Sequence, residues 1–327
     1  MADLSTTYMN IPMKNPIMVS SSPLTANLRG LEKCEAAGAG AVVLKSLFEE
    51  QISHDASRMI GGLDFDAHAD AYDFLRDSSR DYYLNEYLDL VEKAKEKLSI
   101  PVIASVNCVS AGNWTEYAQR FEAVGADALE LNIFIIPSDA GTDGSEIEKE
   151  YFSILKKVKK QVSIPLSVKL GPHFSGMAKT ISELSKEGAS GITLFNRFYR
   201  PDLDIEKLKL SAGPVLSVPE EMGMVLQWIA LMSGEVESDL SASTGIYDGA
   251  AAVKQLLAGA KTVQLCSSLI KNGTGTITEI LDFLSDWMER KGFGTIADFN
   301  GMLCQERSNR PEAYERSQYI KALVGIA

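Results

Sequence analysis

Short apolar runs rich in β-branched residues recur along the chain, at Ile17–Ser20, Ala41–Lys45, Pro101–Asn107, Ala128–Asn132, Leu166–Lys169, Gly191–Asn196, Asp239–Ser243 and Thr262–Cys266. Between them lie longer segments with helical periodicity: Leu28–Ala37, Tyr82–Leu98, Trp114–Val124, Ser145–Gln161, Met177–Glu187, Pro219–Met232, Tyr247–Ala258 and Thr276–Arg290. Several helices run into a glycine stop before the next strand, as in "AAGAGAVVLK", "AVGADALELN" and "LAGAKTVQLC". Glycine there supplies the left-handed C-cap. Eight repeated β-α units predict a parallel sheet closed into a single (β/α)8 TIM barrel spanning residues 1–327. An open doubly wound sheet is the rival, but it usually carries GxGxxG after its first strand, and this chain has none. No internal repeat beyond the β-α unit stands out.

Two stretches break this rhythm. Residues 46–81 and 197–218 read as long loops after the second and sixth strands, where a barrel shapes access to its mouth. The opening "TTYMNIPMKNP" reads as a small N-terminal hairpin capping the barrel floor.

Charge narrows the partners. With 32 Lys and Arg against 44 Asp and Glu, the formal net charge is −12. Such a surface repels phosphate backbones, so no nucleic-acid partner is expected. Four cysteines with no CxxC spacing suit a reducing, cytoplasmic setting. The N-terminus has no basic flank and apolar core of a signal peptide. No apolar run approaches the roughly 20 residues that span a bilayer, so no membrane partner is expected.

The chemistry sits where the strands stop. The first ends in Ser20-Ser21-Ser22, the second in Lys45, the third in Asn107, the fourth in Asn132, the fifth in Lys169 and the sixth in Asn196. The seventh runs into Ser243-Thr244-Gly245 and the eighth into Cys266-Ser267-Ser268. That places a polar ring at the C-terminal mouth, where barrel enzymes keep their chemistry. Strand alternation puts Ala41, Val43 and Lys45 on one face, and sets Glu130 one layer below Asn132. A buried Glu130 needs a partner, Lys169 or Lys45, and such a pair could equally be structural. Two lysines and three asparagines suit a planar heterocycle that becomes anionic in turnover, as a reduced flavin does. The glycine-bearing turns after strands seven and eight suit a phosphate.

The chain resembles the dihydroorotate dehydrogenase family, its soluble class above all, in "NPIMVSSSP", "AGAGAVVLKS", "ALELN", "IPLSVKLGPHF", "ASTGIYDGAAAVKQLLAGAKTVQLCSSLIKNG" and "GFGTIADFNGML". The resemblance implies an FMN lined by Ser20, Ser21, Lys45, Ser46, Asn132, Lys169, Asn196, Ser243, Thr244, Gly245, Cys266, Ser267 and Ser268; Asn107 joins from strand-end position. It implies hydride transfer from a small-molecule substrate to the flavin, reoxidation by a second electron acceptor, a place in pyrimidine biosynthesis if the substrate is dihydroorotate, and a possible homodimer.

The sequence also departs from that family. Where the family carries a cysteine or serine base after its ELN, this chain reads "ELNIFIIPSD", with Ile135 at the aligned position. The family's substrate loop is replaced by "DAYDFLRDSSRDYYL", which puts Asp77 near its asparagine; a carboxylate there would repel the substrate's carboxylate unless Arg76 or Arg80 offsets it. Cys108, Ser138 and His173 are the candidates for a displaced base. Asp64, Asp66, His68 and Asp70 would share one strand face and could ligate a cation, but acidic loops are ordinarily solvated and no metal is assigned. Two other functions stay open: a flavin-binding protein without dehydrogenase activity, and a Schiff-base lyase using Lys45 or Lys169.

Overall fold

The computed structural model describes residues 2–50, 69–108, 111–197 and 201–315, with the side chains of 69–80 and 111 excepted. Eight parallel strands close a barrel: β3 (Ile17–Val19), β4 (Ala41–Val43), β6 (Val102–Asn107), β7 (Ala128–Asn132), β8 (Leu166–Leu170), β9 (Gly191–Leu194), β12 (Asp239–Ser243) and β13 (Thr262–Leu265). Each pairs with the next, and β13 returns to β3 through Val263↔Ile17 and Leu265↔Val19. Outward residues such as Val42, Val106, Leu129, Val168 and Ile192 form the main core beneath the helices. Those helices are α1 (Leu28–Ala36), α2 (Ala69–Lys97), α3 (Ala111–Ala123), α4 (Gly144–Lys159), α5 (Met177–Lys186), α6 (Met222–Met232), α7 (Gly249–Ala258) and, after the short α8 (Ser267–Asn272), α9 (Gly275–Lys291). The last regular element among the described residues is α10 (Glu312–Glu315).

The glycine stops are real. Gly38, Gly125, Gly188 and Gly259 all carry positive φ after their helices. At Gly259 two constraints coincide: φ is 111°, and a Cβ would lie 1.8 Å from Ser233 Oγ. A second device recurs and qualifies the reading that nothing repeats beyond the β-α unit. Glu35, at the end of α1, accepts from Ser99 N–H and Oγ–H, both at 2.7 Å. Glu122, at the end of α3, accepts from Ser163 N–H at 2.8 Å and from its hydroxyl. Both serines open a Ser-Ile-Pro lead into the next strand but one. The hydroxyl and amide bonds from Ser163 hold the Glu122 carboxyl below its usual range.

The floor is closed by the expected hairpin, β1 (Thr6–Tyr8) paired antiparallel with β2 (Ile11–Met13). Its two-residue turn, Met9-Asn10, has φ of 55° and 63°, the all-left-handed geometry that matches strand twist. Tyr8, Met9 and Met13 pack with Met18, Ala41, Val43, Ile103 and Ala128 into an apolar plug.

Three expectations are corrected. Helix α2 covers Ala69–Asp81 at the end of the first long loop; that stretch contains neither proline nor glycine to stop it. The second excursion carries a hairpin, β10 (Pro201–Asp204) with β11 (Lys209–Ala212), from the period-two run "PDLDIEKLKLSA". The third concerns strand two. Val43 lies opposite Ile103, but Leu47 of β5 (Leu47–Phe48) lies opposite Val106. Three residues on one strand face two on the other, which is a β-bulge, and it breaks the alternation that would put Lys45 on the face of Ala41 and Val43. Among the described residues no helix is long and apolar enough to cross a membrane.

Candidate active site at the barrel mouth

The strand ends converge. Ser46, carried inward past the bulge, shares hydrogen bonds with Ser105 Oγ at 2.7 Å and Ser21 Oγ at 3.1 Å, and its N–H donates to Ser21 Oγ at 2.8 Å. Asn132 Nδ2 donates to Ser46 Oγ at 3.3 Å, and Asn196 Nδ2 donates to Asn132 Oδ1 at 2.7 Å. The ends of strands one, two, three, four and six thus form one hydrogen-bonded belt. Asn107 is buried at the end of β6, opposite Phe48.

Lys169 enters from β8, opposite Asn132. Its ammonium is 4% exposed, donates to Ser20 Oγ at 3.0 Å and stands 3.7 Å from Glu130 Oε1. Of the two partners open to Glu130, the structure selects Lys169. Glu130 Oε2 accepts from Thr193 Oγ1 at 3.2 Å and from Gln264 Nε2 at 3.3 Å. Lys45 and Ser46 both line a cavity of about 510 Å3 between α1 and α2, with Asn27, Tyr83, Glu86, Tyr87 and Lys93. The bulge brings Ser46 into the belt.

The seventh and eighth strand ends make the second half of the site. Thr244 sits at φ 89°, a strained value for a β-branched residue, and Gly245 follows at 78°. Thr244 Oγ1 donates to Phe195 O at 3.1 Å. Ser243 is buried beside this turn. Cys266, at the end of β13, has its thiol pushed up by burial, with Lys169 and Ser22 pulling the other way. Ser268 is buried, and its Oγ has no hydrogen-bond partner. Ser217 closes the group: its N–H donates to Ser267 Oγ at 3.0 Å, its Oγ accepts from Gly245 N–H at 3.4 Å, and its carbonyl accepts from Tyr247 Oη. One of the free N–H groups at the N-terminus of α7 is capped, since Asp248 accepts from Ala251 N–H at 2.8 Å.

This donor set fits FMN. A belt of amides and hydroxyls surrounds a buried ammonium, and Ser268 offers an unused hydroxyl where a phosphate would need one.

The candidate bases fare less well. Burial, with Glu49 and Glu116 adding to it, pushes the Cys108 thiol far above its ordinary value; a thiol held protonated makes a poor base. Ser138 is exposed, its N–H bonded to Ile136 O at 2.8 Å. His173 is exposed on the loop after β8. Ile135 packs partly buried against the core, its N–H donating to Tyr151 Oη at 3.2 Å, flanked by the exposed Phe134 and Ile136. Residues 51–68 lie outside the described residues, and so do the side chains of Asp70, Arg76, Asp77 and Arg80; the metal and charge-offset readings fall there. Thr193, Ser105, Gln264 and Ser217 were not singled out from sequence. The alternation that exposed Glu130 also points Thr193 and Gln264 inward; Ser217 carries no local signal.

The family model for dihydroorotate dehydrogenase matches residues 3–288. The chain belongs to the dihydroorotate dehydrogenase family. It is 27% identical to a dihydroorotate dehydrogenase B (NAD(+)) catalytic subunit of Thermoplasma volcanium, over 92% of this chain and 99% of that one. It is 26% identical to the dihydroorotate dehydrogenase A (fumarate) of Lactococcus lactis, over 92% and 99%. It is also 23% identical to the chloroplastic dihydropyrimidine dehydrogenase (NADP(+)) of Arabidopsis thaliana, over 97% and 80%. It is thus a member of a flavin oxidoreductase family whose enzymes act on CH–CH bonds.

Proposed function

We propose that this protein is an FMN-dependent dehydrogenase acting on a dihydropyrimidine-like substrate. The observation that carries the reading is Lys169, buried at the mouth beside the Ser46–Asn132–Asn196 belt. Asn132, Asn196, Ser20 and Lys169 would hold the flavin ring. The Thr244–Gly245 turn with Ser267 and Ser268 would hold the phosphate. When bound, FMN supplies a two-electron acceptor for a hydride. Lys169 would place a fixed positive charge beside the bound ring, and its burial strengthens that field. A second acceptor would take the electrons onward.

A second reading is favoured by one feature. Ile135 occupies the position where the family resemblance puts a proton acceptor, and it lies in an apolar loop. On that reading the protein binds flavin but does not oxidise dihydroorotate. One experiment separates the two. Purified protein should be yellow, with oxidised-flavin bands in the visible spectrum. Anaerobic dihydroorotate, then dihydrouracil, should bleach it if the dehydrogenase reading holds. A yellow protein bleached by neither supports the second reading, and a colourless protein that takes up no FMN ends both.

A further inference from the structure

Glu130 takes no part in the hydrogen-bonded belt of the mouth. It lies in the barrel interior at 1% exposure, two residues before Asn132 on β7. Oε2 is gripped by Thr193 and Gln264, whose own side chains are joined at 3.1 Å. Oε1 has no hydrogen bond at all, and faces Lys169 Nζ across 3.7 Å. A pair optimised for stability would close that gap, because a desolvated carboxylate left short of donors is costly. Instead, two neutral groups hold the carboxylate back from the ammonium. Lys169 has three N–H directions. Ser20 takes one, and Glu130 draws on the ammonium from 3.7 Å without a hydrogen bond, so the other directions can serve a ligand at the mouth. The other titratable groups facing the pair are neutral: burial raises the Tyr8 and Tyr87 hydroxyls, which feel Glu130, and the Cys266 thiol, which feels Lys169.

We propose that Glu130 is a positioning residue that aims Lys169 at the mouth and, as a held-back counter-charge, sets how much positive field reaches the ring bound there. The inference rests on the flavin reading above. It assigns Thr193 and Gln264 a task as well: they determine how closely the carboxylate approaches the ammonium. At this burial a unit charge is weakly screened, so a carboxylate-to-amide change is felt across one barrel layer.

The test uses flavin-loaded protein and needs no turnover. Sulfite adds its lone pair to the oxidised flavin at N5 and leaves the ring anionic, so its affinity reports the local positive field, as does the midpoint potential. E130Q should tighten sulfite binding by at least about tenfold and move the midpoint potential upward. In a Lys169→Met background the E130Q effect should shrink to less than about twofold, because a carboxylate buried without its cation is not tolerated as an anion. Thr193→Val, which frees Oε2 to turn toward Lys169, should act in the opposite sense and weaken sulfite by about threefold. That variant keeps the test alive if E130Q does not fold. A purely structural ion pair would move the melting temperature and leave sulfite affinity and potential alone; that result, or an E130Q effect undiminished without Lys169, overturns the proposal. Parent protein that takes up no FMN overturns this inference and the flavin reading together, whereas flavin uptake with E130Q and Thr193→Val both silent overturns this inference alone.

Discussion

The two ends of the barrel interior are lined by the same strands and built on opposite principles. At the floor, Met18, Ala41, Val43, Ile103 and Ala128 face a hairpin that offers Tyr8, Met9 and Met13, and every one of these is buried. Toward the mouth, the same strands and their ends present Ser21, Ser46, Ser105 and Asn132, joined with Asn196 by hydrogen bonds. Glu130, Thr193 and Gln264 form the layer between. The floor is held mainly by apolar packing and the mouth by a network of hydrogen bonds. Buried polar atoms without a hydrogen bond occur at both ends, Tyr8 Oη at the floor and Ser268 Oγ and Glu130 Oε1 toward the mouth. The difference separates stability from chemistry along one axis only a few residues long.

Substitutions at the two ends should therefore fail in different ways. The largest effect is expected at the mouth. Lys169→Ala should weaken FMN retention or slow flavin reduction by on the order of a hundredfold, and should also lower the melting temperature because Glu130 is left buried without its cation. Lys45→Ala, in the side cavity, should cost less than about tenfold in the same assay. Equal losses for the two lysines would sink the distinction drawn from the bulge. Next comes the floor. A Cβ at Gly191 would lie 2.6 Å from Tyr8 Oη and 2.9 Å from Met9 Cγ. Gly191→Ala should cost about 1–3 kcal/mol in chemical denaturation while FMN affinity stays unchanged. Flavin loss at full stability would break the comparison. The smallest effect belongs to Asp239, whose carboxyl accepts from Met9 N–H at 2.7 Å. Burial holds this carboxyl above its usual value of 3.8, against the opposing pull of that bond and of Lys261. A raised folded-state value contributes stability below the unfolded value and loses it as pH rises through the folded one. Asp239→Asn should therefore melt slightly higher than the parent at pH 7, with the gap closing toward pH 4. A gap that widens on acidification would reverse the sign and refute the assignment.

How much of this was legible depended on how local each cause is. The eight strands and their helices followed from periodicity and glycine stops. Two strands, Ala128–Asn132 and Asp239–Ser243, have the bounds their patterns suggested. Glu130 facing Lys169 followed from alternation, because β7 and β8 run without a bulge and pair Asn132 with Lys169. Lys45 defeated the same logic, because one residue too many between Val43 and Leu47 exchanges the faces. The β10–β11 hairpin was written in a period-two run that a loop reading hid. Ser217 could not be found locally, since its partners Gly245, Tyr247 and Ser267 lie 28 to 50 residues away.

By itself the sequence determined the barrel, the end at which its polar groups collect, and the inward direction of a carboxylate one layer below them. Those are consequences of periods of 2.0 and 3.6 residues, which any short window displays. Only the tertiary structure decided which residue of strand two joins the belt, which hydroxyls remain unpaired, and which distant loop closes over the turns of strands seven and eight. Those depend on register between neighbouring strands and on groups far apart in the chain meeting at hydrogen-bond distance. A one-residue slip in pairing changes them without altering the local pattern.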